Sequence, residues 1–246
     1  MRKVFLWVGL IVLGWSAGAS ALPVNNPITS GLVAAYEFSG NADDVSGNGN
    51  DGVVNGATLA ADRFGNLGSA YSFDGTGNIL VSNPSGLQST NTVSVWAQLN
   101  FVEGNRYPID LDISEANNNW IEIFGGDVFR TGNSGSFYFD TGAISPNAWH
   151  MLTRTYDGST LSAYINGQLV GSQTGPSNNP AGITIGSAGD GLHGFIGSLD
   201  DVYIYDRALS PTEVQTLYSA VPEPSTALLL GLGLIGMSLR KSRRGF

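Results

Sequence analysis

Phe195-Ile196-Gly197-Ser198-Leu199-Asp200-Asp201-Val202-Tyr203-Ile204-Tyr205-Asp206-Arg207-Ala208-Leu209-Ser210 is the most informative stretch of this 246-residue chain. From Leu199 to Tyr205 apolar, β-branched and aromatic residues dominate, which predicts a strand. Two adjacent carboxylates interrupt it. Neighbouring side chains in a strand point to opposite faces, so one of Asp200 and Asp201 is expected to face inward. A buried carboxylate needs a cation or hydrogen-bond donors, and Arg207, backbone amides or a calcium ion would each supply them. Directly after the strand comes Ser210-Pro211-Thr212-Glu213, leading into Val214, Leu217 and Tyr218. Ser210 reads as the N-cap, Pro211 as the first helical residue and Glu213 as the closing member of a capping box. The helix is expected to be short and to lie on a sheet.

Further strands are expected at Val93 to Leu99, Trp120 to Phe124, Phe137 to Asp140, Trp149 to Tyr156, Leu161 to Ile165 and Ile183 to Ile185. They are short, and turn signals separate them at the spacing of a sandwich. Asp157-Gly158 and Asn166-Gly167 predict two tight hairpin turns. The 34 glycines mostly stand beside Asn, Asp or Ser, where turns need positive φ. Repeats of 20 to 50 residues are absent, which argues against a propeller or solenoid. Hydrophobic residues make up 42% of the chain, enough for a single β-rich domain of about 200 residues with a substantial core.

Charge is distributed unevenly. Six of the eleven basic residues lie at the ends, so the middle keeps five arginines and no lysine. Against nineteen acidic residues (Glu223 set aside) they leave a net charge of -14, which argues against nucleic acid as a partner. With no cysteine, disulfides, thiolate metal sites and cysteine nucleophiles are excluded.

The two ends read as addresses. Arg2 and Lys3, an apolar stretch from Val4 to Trp15 and the small residues Ala19-Ser20-Ala21 form a signal peptide over residues 1–21, with Ala19 and Ala21 marking cleavage before Leu22. At the other end Val221-Pro222-Glu223-Pro224 precedes the apolar stretch Ala227 to Leu239 and the basic run Arg240-Lys241-Ser242-Arg243-Arg244. A helix-breaking polar start, a hydrophobic segment and a basic stop suit a chain held at a membrane with the basic end in the cytoplasm. This arrangement, over residues 221–246, resembles the PEP-CTERM sorting signal, with Pro222, Glu223 and Pro224 as its motif. The resemblance implies an exosortase-type processing enzyme as partner. It also implies inner-membrane anchoring through residues 225–239 before processing, then passage to the surface or extracellular matrix of a Gram-negative cell. A plain membrane anchor is the alternative.

The domain over residues 22–220 resembles a laminin-G-like, concanavalin A-like domain. The resemblance rests on Leu32-Val33-Ala34-Ala35-Tyr36-Glu37-Phe38, the loop Asp44 to Gly52, Ala70-Tyr71-Ser72-Phe73-Asp74-Gly75, Trp149-His150, Thr155-Tyr156-Asp157-Gly158 with Tyr164-Ile165-Asn166-Gly167, and the stretch quoted first. It implies an all-β, two-sheet antiparallel jelly-roll sandwich with one short C-terminal helix. Members mostly bind carbohydrate or protein partners, some with calcium.

Several constellations are candidates for chemistry. The loop Asp43 to Gly52 offers oxygen donors for a hard cation such as Ca2+. Its Asp44, Ser46, Asn48 and Gly49 follow the spacing of half an EF-hand loop, but Asn55 stands where the closing glutamate belongs. The metal set expected is Asp44, Asn48, Asp200 and Asp201; solvated turn carboxylates are the alternative. Asp110-Leu111-Asp112-Ile113-Ser114-Glu115 resembles the Glu-x-Asp-x-x-Glu strand motif of retaining glycosidases on this fold, with Asp110 as nucleophile and Glu115 as acid/base. An aspartate is one methylene too short, and Glu115 shares a face with Asp110 only through a bulge. An edge strand with exposed acids is the plainer reading, and Trp120 reads as core rather than a sugar platform. His150 reads as structural, and His193 as exposed in a glycine-rich loop. The expected function is non-catalytic binding of carbohydrate, such as an exopolysaccharide, or of a surface protein. A glycoside hydrolase and a purely structural surface protein are the alternatives.

Overall fold

The computed structural model describes residues 26–100, 104–112, 119–134, 137–176, 179–189 and 191–220. The signal peptide, the sorting motif Pro222-Glu223-Pro224 and Glu115 lie outside the described residues. Within them run the strands β1 (Leu32–Tyr36), β2 (Val53–Asn55), β3 (Thr58–Ala61), β4 (Leu67–Asp74), β5 (Asn78–Val81), β6 (Asn91–Leu99), β7 (Arg106–Asp110) and β8 (Trp120–Phe124). After these come β9 (Val128–Ser134), β10 (Phe137–Ala143), β11 (Trp149–Tyr156), β12 (Thr160–Ile165), β13 (Gln168–Thr174), β14 (Ile183–Ile185), β15 (Ile196–Tyr205) and the helix α1 (Pro211–Ser219). Two antiparallel sheets form a sandwich consistent with a jelly roll. The eight-stranded sheet has the order β13-β12-β11-β6-β15-β4-β3, with β1 on β15; the seven-stranded sheet has the order β10-β9-β8-β7-β14-β5-β2.

Alternation explains the layers. Val93, Val95, Ala97 and Leu99 of β6 face Ile109, Ile121, Ile123, Phe129, Ile183 and Ile185 of the opposing sheet in one buried cluster. The two hairpins form where Asp-Gly and Asn-Gly place them: Tyr156 pairs with Leu161, and Ile165 with Gln168. Asn166 and Gly167 take φ of 50° and 78°, the left-handed pair a two-residue turn requires. Helix α1 starts as expected. The Ser210 hydroxyl accepts from the Glu213 amide at 3.3 Å, and the Glu213 carboxylate accepts from the Ser210 amide at 2.8 Å. The helix buries Val214 and Leu217 on the outer face of the eight-stranded sheet, against Ala35, Met151, Tyr164, Tyr203 and Tyr205. Each such side chain contributes about 1.5–3 kcal/mol.

Three features depart from the expectations. The strand β15 is bulged: its register against β6 shifts between Asp200 and Tyr203, and Asp201 takes a φ of 41°. Parity is broken there, so Asp200 and Asp201 do not diverge to opposite faces but meet one guanidinium, that of Arg63. The strand β7 lies inside its sheet, between β8 and β14, rather than at an edge, and Asp110 and Asp112 are buried. Finally, Arg154 of β11 pairs with Val93 and Ala163, both in the intersheet core, and is itself fully buried. It donates to the side-chain carbonyls of Asn91 at 2.8 Å, Asn119 at 3.3 Å and Asn133. Burial pushes this guanidinium down to about 9, so at neutral pH it remains a cation held by amide oxygens.

Candidate functional site

The strand β8 carries two faces of different chemistry. Ile121 and Ile123 point between the sheets, so Trp120, Glu122 and Phe124 line the outer face of the seven-stranded sheet. Trp120 pairs with Gly132 of β9, which pairs in turn with Tyr138 of β10. A Cβ on Gly132 would stand 2.7 Å from Cζ2 of Trp120 and 2.8 Å from Cβ of Tyr138, so the indole lies flat only because that residue is glycine. Its ring sits 5.8 Å from Tyr107, edge on, and 6.2 Å from Tyr138, with His193 a further 6.0 Å from Tyr107. Trp120 is thus buried by aromatic neighbours on the outer face rather than in the intersheet core, and Tyr138 stays open to solvent, at 43% exposure.

A charged row runs beside this aromatic one. Glu122 pairs across β8 and β9 with Arg130, which pairs across β9 and β10 with Asp140. Arg130 clamps Asp140 through Nε and, at 3.0 Å, through Nη2; its Nη1 stands 3.9 Å from Glu122. The guanidinium stacks 3.4 Å from the Phe124 ring centroid and 4.8 Å from that of Tyr138. Glu122 is only 2% exposed, and its Oε1 has no hydrogen-bond partner among the described residues. Burial pushes its carboxyl up to about 7; Asp140 adds to the rise, while Arg130 and the Tyr107 hydroxyl oppose it. Asp140 itself is held below the usual carboxylate range, chiefly by its hydrogen bond to Arg130. Flat rings beside fixed donors and acceptors suit a ligand with apolar faces and hydroxyl edges.

Asp110 faces the same side, paired with Trp120, and accepts from the Gly189 amide at 3.2 Å. Retaining glycosidases need two carboxyl groups about 5 Å apart. The second member here, Glu115, lies outside the described residues, so that pair is not assembled among them.

The residues expected to hold calcium fall into two separately partnered groups. Asp44 is buried in its loop, and its carboxylate accepts from the amides of Ala35 at 2.9 Å, Ser46 at 2.9 Å and Asn50 at 3.0 Å. Asn48 donates to the carbonyls of Leu32 at 2.9 Å and Val33 at 3.0 Å. Asp200 and Asp201 instead meet Nη1 and Nη2 of Arg63 at 2.7 Å and 2.6 Å. Arg207, the partner considered in the sequence, clamps Glu213 at 3.1 and 2.7 Å. The four residues do not form the cage of six to eight oxygens that calcium takes, and no cluster of three or more His, Asp or Glu suited to a metal occurs among the described residues. His150 packs structurally, Nε2 against the Ser145 carbonyl at 3.2 Å and Nδ1 against the Asn166 amide nitrogen at 3.2 Å.

Residues 73–215, more than half of the chain, match the family described as the concanavalin A-like lectin/glucanases superfamily. The chain belongs to this superfamily. Residues 220–244 match the PEP-CTERM protein-sorting motif, the signal of a secreted, exosortase-processed surface protein. No curated protein matches the sequence. Among solved structures the chain is similar to domain 4 of AbnA, a GH43 extracellular arabinanase from Geobacillus stearothermophilus, solved with arabinotriose. Identity is 23% and the TM-score 0.61, over 76% of this chain and 98% of that one. It is similar also to the binding domain of Paraclostridial Mosquitocidal Protein 1 (21%, TM-score 0.61, 77% and 52%). The receptor binding domain of botulinum neurotoxin C/D mosaic serotype is a third (17%, TM-score 0.62, 78% and 51%). The superfamily chain thus spans about half the length of the toxin binding domains, and at these identities the likeness is one of fold. No helix among the described residues is long and apolar enough to cross a membrane.

Sequence reasoning missed Arg63, Glu122, Arg130 and Arg154 in this superfamily chain. The available signal was scarcity: five arginines set among nineteen carboxylates are each worth asking about.

Proposed function

We propose that the domain is a non-catalytic binding module, sorted to the cell surface or matrix, that holds carbohydrate on the outer face of its seven-stranded sheet. The observation that carries this reading is the aromatic row Tyr107, Trp120 and Tyr138 set beside the Glu122–Arg130–Asp140 row and open at Tyr138. Residues 225–239 hold the chain in the inner membrane until an exosortase-type enzyme acts at Pro222-Glu223-Pro224. The cell's own exopolysaccharide is the ligand this address favours, with a surface protein the second choice.

The test is a glycan array followed by calorimetry on the secreted protein and its Tyr138→Ala variant. Binding that weakens about tenfold (1.4 kcal/mol) in the variant, with unchanged far-UV dichroism, supports the reading. No bound glycan, or a hit indifferent to Tyr138→Ala, overturns it. Slow hydrolysis of a hit, abolished by Asp110→Asn or Glu115→Gln, would move the domain among the glycoside hydrolases instead.

A further inference from the structure

An open sheet edge offers a row of amides and carbonyls that can pair with another chain, and proteins blunt such edges with short strands, charges, prolines or covering loops. Most edges of this sandwich are blunted. The terminal strands β2 and β3 have only three and four residues. The terminal strand β10 carries Asp140, clamped by Arg130. The open side of β1 is covered by the loop that follows it: the Val45 amide donates to the Ala35 carbonyl at 2.9 Å, and the side chains of Asn48 and Asn50 donate to the Val33 carbonyl at 3.0 and 2.8 Å.

The strand β13 is the exception. It ends the eight-stranded sheet and pairs only with β12 among the described residues. It is seven residues long, holds no charged residue and no proline, and exposes Leu169 at 56% and Val170 at 40%. Its one blunting device is a bulge at Val170, and from Gly171 to Thr174 the register against β12 is regular. The neutrality extends well beyond the strand. Between Asp157 and Asp190 the sequence carries no charged side chain, in a domain of net charge -14. Two copies of so acidic a chain repel wherever carboxylates face one another, and the flank formed by β12 and β13 lets them approach without that cost.

We propose that β13 is a self-association edge: two copies of the chain pair antiparallel through it, about a two-fold axis normal to the sheet, and join their eight-stranded sheets into one. Past the bulge, Gly171-Ser172-Gln173-Thr174 supply the paired amides and carbonyls, and Leu169 and Val170 flank the seam. The strand β10 lies beneath β13, since a Cβ on Gly171 would stand 2.8 Å from Cε2 of Phe139 and one on Gly175 2.5 Å from Cε2 of Phe137. Pairing through β13 therefore sets two β10 strands, each with its outward Tyr138, on the same side of the dimer. One polysaccharide chain then meets two aromatic rows, and its avidity rises without any new contact. That bivalency rests on the reading that the outer face of the seven-stranded sheet binds carbohydrate; the interface itself does not.

Sedimentation velocity on the secreted protein, over a wide range of concentration, is expected to show a monomer–dimer equilibrium that strengthens with salt, because screening relieves the repulsion between acidic copies. Val170→Lys and Val170→Glu are each expected to weaken it at least about tenfold, since either sign places like charges across the seam. Leu67→Lys, at a position 89% exposed on β4, is expected to leave it unchanged. Hydrogen exchange locates the seam without any substitution, the β13 amides exchanging more slowly in the dimer than in the dilute monomer. A chain monomeric at every concentration and salt, which would leave the edge to an extended peptide, overturns the inference. So does a dimer that Val170→Glu weakens and Val170→Lys strengthens, which reports net charge alone, or one whose β13 amides exchange as in the monomer. A dimer that binds no glycan would end the carbohydrate reading and leave the interface standing; glycan bound by a strict monomer would do the reverse.

Discussion

Arg63→Met removes a guanidinium and keeps most of the aliphatic stem that packs on Trp96. It leaves Asp200 and Asp201, whose side chains are 4% and 8% exposed, without their only guanidinium partner among the described residues. Breaking a buried ion pair from one side costs about 3–5 kcal/mol, because the stranded charge stays desolvated. The protein has an escape, which is to protonate. Burial already pushes both carboxyls up, with Arg63 opposing the rise, so the variant neutralises itself by drawing a proton onto the pair. That proton costs about 1.4 kcal/mol for each pH unit above the ordinary aspartate value near 4. The folded variant then binds more protons than its unfolded chain, so its stability falls as pH rises through this window.

The loss is therefore expected to be about 1–2 kcal/mol at pH 5 and about 4–5 kcal/mol at pH 8. For a domain of this size 1 kcal/mol shifts Tm by about 2–4 °C, so the drop at pH 8 is about 8–20 °C. Urea unfolding followed by tryptophan fluorescence reports it directly, since Trp96 lies under the substituted side chain. The triple variant Arg63→Met, Asp200→Asn, Asp201→Asn is expected to recover most of the loss and all of the pH dependence. A loss below about 1 kcal/mol at pH 8, or one equal at both pH values, would refute the reasoning.

Ser210→Ala dissolves the capping box and is expected to cost about 1 kcal/mol, read as a Tm lower by about 2–4 °C. Gly132→Ala drives a methyl into Trp120 and Tyr138 and is expected to cost about 1–3 kcal/mol, with a shift in tryptophan emission. Glu122 carries a folded-state value raised from 4.5 to about 7, so its contribution to stability declines as pH rises between those values; Glu122→Gln is expected to flatten Tm over that window. Melting in calcium and in EGTA is expected to coincide, because Asp44 is already met by three amides and Asp200 and Asp201 by Arg63. A calcium-dependent rise in Tm that Asp44→Ala removes would restore the ion to the loop.

What could be read in the sequence was local. The expected strands Trp120 to Phe124, Trp149 to Tyr156 and Ile183 to Ile185 coincide with those observed, and the Asn166-Gly167 turn and the Ser210 cap form as their own residues dictate. Each depends on neighbours within a few positions, where rotamer, φ and hydrogen bond are decided together. The side-chain partnerships are of another kind. Arg63 reaches Asp200 across 137 positions and Arg154 reaches Asn91 across 63, and no local rule connects them.

Parity was the weakest link, because it converts one local error into a wrong face. Strict alternation sent Asp200 and Asp201 to opposite sides, yet a single bulged residue with φ of 41° turned both toward one guanidinium. The same arithmetic worked for β8, where Trp120, Glu122 and Phe124 keep one face, but Glu122 is the single polar residue among five and is itself buried, so the pattern alone did not mark that face as functional. A strand buried on both sides hides its functional face in the same way that it hides its orientation. Here the face was revealed only by what the neighbouring strands supplied: a glycine opposite Trp120 and an arginine opposite Glu122.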